Sequence, residues 1–233
     1  MWKIVLLADL HGNMPATLAL EKELEKIKPD EVWFVGDAVG KGPESDKTLD
    51  WVRTHCQYYI GGNWDYGISM PKPQDNTFYR KQLGRERVNW INALPREAEL
   101  LISGICFRVF HGRPVTQLFQ GWDSEEKIAS FFAANGKMYG GIICADSHRP
   151  YIRTLHGGYA INTGSVGNSI GMPMAHALLL EGEKDCAKRT PLRFSILSVP
   201  YDNEKAAQIA EETEGLPNKE AYIREVLTGV YSR

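Results

Sequence analysis

The chain has 233 residues, 43% hydrophobic and 24% charged, with 27 basic against 29 acidic side chains and a formal net charge of −2. This length and balance suit a sizeable core without disulfide staples, and the near-neutral charge argues against a nucleic-acid grip, which shows as a strongly basic face. Cys56, Cys106, Cys144 and Cys186 are scattered with no CxxC pair, and no apolar run reaches membrane-spanning length, so buried thiols in a cytoplasmic protein are expected.

Lys3 to Ala8 is a continuous apolar run of strand length, as in a strand buried on both faces. Asn13 offers an N-cap and Pro15 a first-turn residue to a helix carrying Leu18, Leu20, Leu24 and Ile27. Glu31 to Val35 reads as a second strand, Pro43 to His55 as a second helix and Gln57 to Ile60 as a third strand. This alternation implies parallel strands joined by helical crossovers.

Ser69 to Asn76, with Pro71 and Pro73, reads as an exposed loop, and Phe78 to Ala93 as a helix. Glu99 to Ile102 and Ile105 to Phe110 flank Ser103-Gly104, a hairpin signal. Ser124 caps a helix expected to run to Ala134, with Gly136 as its stop. Strand-like runs follow at Gly141 to Ala145, Tyr151 to Leu155, Ala160 to Asn162, Ala175 to Leu180 and Leu192 to Val199, a largely antiparallel second half. Helices near Asn203 to Glu212 and Lys219 to Leu227 close the sequence. No repeat or linker divides it, so one domain over residues 1–233 is expected, an α/β fold whose two sheets stack with helices outside.

Chemistry gathers at the strand ends. The first strand is followed by Asp9-Leu10-His11-Gly12-Asn13, the second by Gly36-Asp37 and the third by Gly62-Asn63-Trp64-Asp65. The hairpin ends on His111-Gly112 and the Gly141 strand on Ala145-Asp146-Ser147-His148. Side chains at carboxyl strand ends of open α/β sheets converge on one crevice. The set is oxygen and imidazole without thiolate, suited to Mn²⁺, Fe²⁺ or Zn²⁺ rather than to a structural zinc. A carboxylate between two cations can bridge them, the role assigned to Asp37; two such ions activate water between them and polarise a phosphoryl oxygen.

These motifs, together with Asn162-Thr163-Gly164-Ser165-Val166-Gly167, resemble the calcineurin-like metallophosphoesterases. More narrowly, they resemble the branch of YfcE-type phosphodiesterases and symmetrical diadenosine tetraphosphatases. The resemblance spans roughly residues 1–180 and implies a four-layer α/β/β/α sandwich of two mixed sheets. It implies that Asp9, His11, Asp37 and His148 hold one divalent metal, and that Asp37, Asn63 and His111 hold a second, with Asp146 a further ligand. Manganese is the ion expected, with iron or zinc as alternatives. A metal-bridging hydroxide would then hydrolyse a small phosphorylated substrate: a phosphodiester, nucleotide or dinucleoside polyphosphate. The alternative is a non-catalytic binding scaffold that keeps the fold.

Two positions depart from the family pattern. Asp146 stands where a second-metal histidine is usual, and Trp64 where many members carry the histidine that protonates the leaving oxygen; Asp65 would ordinarily support that histidine. An indole N–H is no general acid. Lys41, Arg113 and Arg149 are candidate phosphate-binding cations, set against solvated or ion-paired side chains. His55, His156 and His176 read as structural or surface histidines. Phe78, Tyr79, Trp90, Phe119 and Trp122 either line a base-stacking pocket or fill the core, the commoner fate of aromatic residues.

Overall fold

The first three strands and the helices between them fall where the apolar runs and caps place them. The structure, a computed structural model, describes residues 1–70 and 77–232, so the loop read at Ser69 to Asn76 lies mostly outside the described residues. In chain order β1 (Trp2–Leu7), α1 (Met14–Ile27), β2 (Glu31–Val35), α2 (Ser45–His55) and β3 (Tyr58–Ile60) lead into α3 (Asn63–Ser69) and α4 (Thr77–Asn92). There follow β4 (Glu97–Ile102), β5 (Ile105–Phe110), α5 (Glu125–Ala129), β6 (Ala133–Ala134), β7 (Lys137–Met138) and β8 (Gly141–Cys144). The remaining elements are β9 (Tyr151–Leu155), β10 (Gly158–Asn162), β11 (Ala175–Gly182), β12 (Arg193–Val199), α6 (Asn203–Glu212) and α7 (Lys219–Thr228).

One sheet has the order β12-β11-β1-β2-β3 and the other β4-β5-β8-β10-β9. Both are mixed. In the first, β1, β2 and β3 are parallel while β11 and β12 form antiparallel pairs beside β1. In the second, β5, β8 and β10 are parallel between two antiparallel edges. The expectation of a largely antiparallel second half is corrected here. The long connection between β5 and β8 acts as a crossover and returns the chain in the same direction, while β11 and β12 leave that half to extend the first sheet.

Alternation explains the layering. Ile4, Leu6, Trp33, Val35 and Leu178 of the first sheet meet Phe107, Val109, Ile143 and Ile161 of the second in a core between the sheets. The opposite face of the first sheet, including Val5, Leu7 and Phe34, is covered by residues of α1, α2, α4, α6 and α7. The outer face of the second sheet receives only a thin cover, Ile128 of α5 with Phe119 and Phe132. The four layers are therefore unequal.

Local departures have local causes. Ser124 caps α5 through its side chain, but the helix ends at Ala129 and passes through a 3-10 turn. Asn135 and Gly136, at φ 51° and 74°, then form the two-residue turn of a small hairpin, so Gly136 is not a helix stop. In α1 the buried stripe is Ala16, Thr17, Leu20 and Leu24, which leaves Leu18 46% exposed. Asn13 Oδ1 accepts the Ala16 N–H at 3.1 Å, as its N-cap reading requires.

Candidate metal centre

Loops at the carboxyl ends of β1, β2, β3, β5 and β8 meet at one end of the stacked sheets. They turn sharply: Asp9, His11, Asp37, Lys41, Asp146 and His148 all have φ between 47° and 62°. Left-handed backbone at non-glycine residues costs about 1–3 kcal/mol each, and such strain persists where surrounding structure imposes it. Six of the eleven such residues among those described belong to these loops, which marks this end of the sheets as the strained one.

The side chains converge with ligand-type oxygen and nitrogen atoms facing one another. His11 Nδ1 lies 3.0 Å from the Val39 carbonyl and His148 Nδ1 lies 2.6 Å from the Asn168 carbonyl. A carbonyl only accepts, so each Nδ1 must carry the hydrogen. In the neutral rings both Nε2 atoms then hold lone pairs, and these face each other at 3.3 Å. His111 repeats the pattern, its Nδ1 donating to the Val35 carbonyl at 2.8 Å. Asp9 Oδ1 lies 3.5 Å from His11 Nε2, 3.8 Å from His111 Nε2 and 3.3 Å from His148 Nε2. Asp37 Oδ2 lies 3.7 Å from His11 Nε2 and 3.3 Å from His111 Nε2. Asp9, His11 and His148 form one group of ligand atoms within 4.8 Å of one another, and Asp9, Asp37 and His111 form another.

Burial makes this arrangement costly unless a cation completes it. Both Asp9 oxygens, His111 Nε2 and Asn63 Oδ1 are buried without a hydrogen-bond partner among the described residues. Burial alone would raise the Asp9 and Asp37 pKa values, but neighbouring imidazoles, chiefly His148 for Asp9 and His111 for Asp37, outweigh it and keep both carboxylates ionised. Burial lowers His11 to about 4, so it stays neutral. For His111 burial is overcome by the charges of Asp37 and Asp9, which raise its pKa well above the ordinary value. A proton there does in part what a divalent ion would do fully. The donor set fits one or two divalent cations.

The Asn162–Gly167 turn braces the first loop. Val166 N–H donates to the Ala8 carbonyl at 3.0 Å, and Gly167 N–H and Ser165 Oγ both donate to the Asp9 carbonyl, at 2.8 and 2.9 Å. Approach is so close at Gly167 that an added Cβ would stand 1.8 Å from the Leu10 carbonyl oxygen. Gly167→Ala should therefore destabilise the fold by about 3 kcal/mol, lowering Tm by roughly 10 °C in a thermal melt. An unchanged Tm would show that the two loops part freely.

Asn168 is a positioning residue that sequence reading missed. Its carbonyl orients His148, its Oδ1 accepts from Lys41 Nζ at 2.7 Å, and its Nδ2 donates to the buried Glu225 of α7 at 3.1 Å. Its only sequence signal was its place directly after the Gly164–Gly167 turn. Asp65 Oδ2 accepts the Asp37 and Gly62 N–H groups at 2.7 and 3.0 Å, and Oδ1 accepts that of Ala38 at 3.1 Å. Burial and the Asp37 charge push its pKa up to about 7 against the Gly62 and Asp37 N–H donors and the His111 charge. Its visible work is to shape the Asp37 loop.

A cleft of about 670 Å³ opens over the cluster, and Asp37, Lys41, Asn63, Arg113, His148 and Arg149 line it. Asp146 is also there, but its carboxylate accepts from Arg113 through Nη2 at 2.7 Å and Nε at 2.9 Å, and it joins neither ligand group. Lys41 is buried, while Arg149 lies over the Trp122 ring with Cζ 5.5 Å from its centroid. His55 stacks on Trp51, His156 is exposed, and His176 is buried against Ser169. Among the described residues none of these three histidines belongs to either ligand group. No helix among the described residues is long and apolar enough to cross a membrane.

Comparison with known proteins follows the same lines. A hypothetical protein from Pyrococcus horikoshii OT3 superposes with a TM-score of 0.81 at 19% identity, covering 100% of both chains. A metallophosphoesterase from Sphaerobacter thermophilus superposes with a TM-score of 0.76 at 20% identity, covering 98% of this chain and 99% of that one. At these identities the likeness is one of fold. A symmetrical bis(5′-nucleosyl)-tetraphosphatase of Citrobacter koseri is 30% identical over 102 residues, 39% of this chain and 36% of that protein. The calcineurin-like phosphoesterase family matches residues 3–157, a span that takes in the Asp9, Asp37, Asn63, His111 and His148 loops. With more than half of its length matched, this chain belongs to the calcineurin-like phosphoesterases.

Proposed function

We propose that this chain hydrolyses a phosphodiester, nucleotide or dinucleoside polyphosphate with two divalent cations, manganese foremost. The observation that carries this reading is the pair of His11 and His148 Nε2 atoms 3.3 Å apart, each with its Nδ1 committed to a carbonyl. Two lone pairs at that separation repel; a proton on one ring relieves this in part and a divalent cation held by both relieves it fully. Asp9, His11, Asp37 and His148 would hold one ion, and Asp37, Asn63 and His111 the other, with Asp9 Oδ1 close to all three imidazoles. Divalent ions there supply Lewis acidity toward the phosphoryl group and activate water at neutral pH.

The chain's own residues do the rest. Arg113, its plane fixed by Asp146 through Nε and Nη2, brings a guanidinium to the cleft, and Lys41 and Arg149 add charge on its other walls. These cations suit an anionic ester. Position 146 then serves the substrate through Arg113, a role distinct from the metal ligation read from sequence.

The test is hydrolysis of bis(p-nitrophenyl) phosphate by protein stripped with a chelator and reloaded with Mn²⁺, Fe²⁺ or Zn²⁺. Stripped protein should be inactive and Mn²⁺ should restore turnover. Full activity in chelator, with no metal found by elemental analysis, would overturn the reading.

A further inference from the structure

The metal cleft does not end at Arg149. A second cleft of about 430 Å³ continues beyond it, and Trp122, Arg149 and Ile170 line both. Of the five aromatic residues read from sequence as base-stacking or core, Tyr79 and Phe119 are buried, and Phe78 and Trp90 pack against the core beneath α4. Trp122 alone of the five is left 70% exposed. Its turn is nevertheless firmly held. Arg153 Nη1 donates to the Gly121 and Asp123 carbonyls at 2.9 and 2.8 Å, and the Asp123 carboxylate accepts the Gln120 N–H at 2.8 Å and pairs with Lys127. The large indole is thus presented to water on a pinned turn at the rim of a charged cleft, with the Arg149 guanidinium against its ring.

His176, in the lining of the second cleft, adds polarity of a defined sense. Ser169 Oγ donates its one hydrogen to the Ser165 carbonyl at 2.6 Å. At the 2.8 Å contact with His176 Nδ1 the histidine must therefore be the donor, so Nε2 is left as an acceptor. Burial lowers the pKa of His176, consistent with a neutral ring. His176 lines this cleft beside Tyr151, Met172 and Arg149. A flat apolar face, a guanidinium and a neutral imidazole acceptor together match a planar ring that carries an N–H donor.

We propose that this second cleft is the subsite for a nucleobase of the substrate, with Trp122 as its stacking face and His176 as its hydrogen-bond acceptor. The proposal rests on the phosphoesterase reading, since the base is taken to be joined to the phosphate group bound at the metal cluster. It narrows the substrate class to nucleotides and their esters rather than simple alkyl or sugar phosphates.

The test is calorimetric binding to the Mn²⁺-loaded protein of adenosine 5′-monophosphate, ribose 5-phosphate and inorganic phosphate, in wild type, Trp122→Ala and Trp122→Phe. Stacking on one aromatic side chain corresponds to roughly tenfold in affinity or more. The nucleotide should therefore bind about tenfold more tightly than ribose 5-phosphate in wild type. That advantage should vanish in Trp122→Ala and persist largely in Trp122→Phe, while phosphate affinity, measured in all three, reports separately any displacement of Arg149, which stacks on Trp122. Trp122 is exposed, so its loss should leave the fold intact, which a thermal melt checks. Equal binding of nucleotide and ribose phosphate in wild type overturns the subsite while leaving the phosphoesterase reading untouched. Nucleotide binding that depends on Trp122 without any binding of phosphate would support the subsite and count against the phosphoesterase reading instead. Absence of binding by all three ligands overturns both.

Discussion

Asp37→Asn should lower hydrolysis of a phosphodiester about a thousandfold or more while leaving the folded state intact. The two halves of that expectation rest on different oxygens. Oδ1 accepts the Trp64 backbone N–H at 2.9 Å, which an asparagine Oδ1 can still do. Oδ2 lies among the imidazoles of His11 and His111, at 3.7 and 3.3 Å, where an amide N–H₂ brings no negative charge and no lone pair to a cation. Losing a charged group aimed at the reacting centre typically costs about 10²–10³ in rate, and loss of a metal ion with it adds to that. The fold should survive, because the substitution keeps the volume, leaves Asp9 as a counter-charge to His111 and relieves Asp65. Elemental analysis, Tm and kcat measured on one preparation check all three. Activity near that of wild type would show that Asp37 is not at the reacting centre.

Much of this site was legible because its residues follow strands that announce themselves. Ile4 to Ala8 and Val32 to Val35 are unbroken apolar runs, so the apolar pattern by itself puts the Asp9 and Asp37 loops at strand ends. His111 and His148 follow β5 and β8 in the same way. The pairing of strands was less legible. β11 has apolar residues on both faces, with Leu178 and Leu180 between the sheets and Ala175 and Ala177 under the helices. Such a strand can sit in the middle of either sheet, and only its partner β1 decides. Helix α3 went unread because it is seven residues long and begins on ligand-type residues. Its start is set by the Asp65 carboxylate reaching back to the Gly62 N–H, a capping contact at short range.

Side-chain engagement was the least legible layer. Asp146 offers the same carboxylate to a metal or to a guanidinium, and its sequence neighbours do not distinguish them. The contacts made here come from across the cleft, where the Arg113 backbone N–H and side chain both reach Asp146, at 2.9 Å for the N–H. Asn168 shows the converse. Its role lies in its carbonyl and in an amide joining Lys41 to Glu225, partners 127 and 57 residues away.

The absence of an acid at position 64 should appear as a steep dependence on the leaving group. Trp64 is fixed: its ring lies so close to Gly40 that a Cβ there would stand 2.2 Å from Trp64 Cε3, and its edge meets His11 with ring centroids 5.9 Å apart. The indole thus walls the cleft beside the ligand cluster and has no proton to give. A well-placed general acid is worth about 10²–10⁴ in rate when the leaving oxygen is basic and little when it is not. Esters of acidic phenols and phosphoanhydrides should therefore be hydrolysed about 10²–10⁴ faster than alkyl monoesters. Trp64→His should raise the alkyl rates selectively, although the smaller ring leaves space beside Gly40 and its orientation must be checked through the pH profile. Asp146→His should act differently, because it frees Arg113 from its bidentate partner and so alters KM across all esters alike. The measurement is kcat/KM for a leaving-group series on the Mn²⁺-loaded wild type and both variants. A flat series in the wild type would mean that another group, or water held in the cleft, already protonates the leaving oxygen, and Trp64 would then be only a wall.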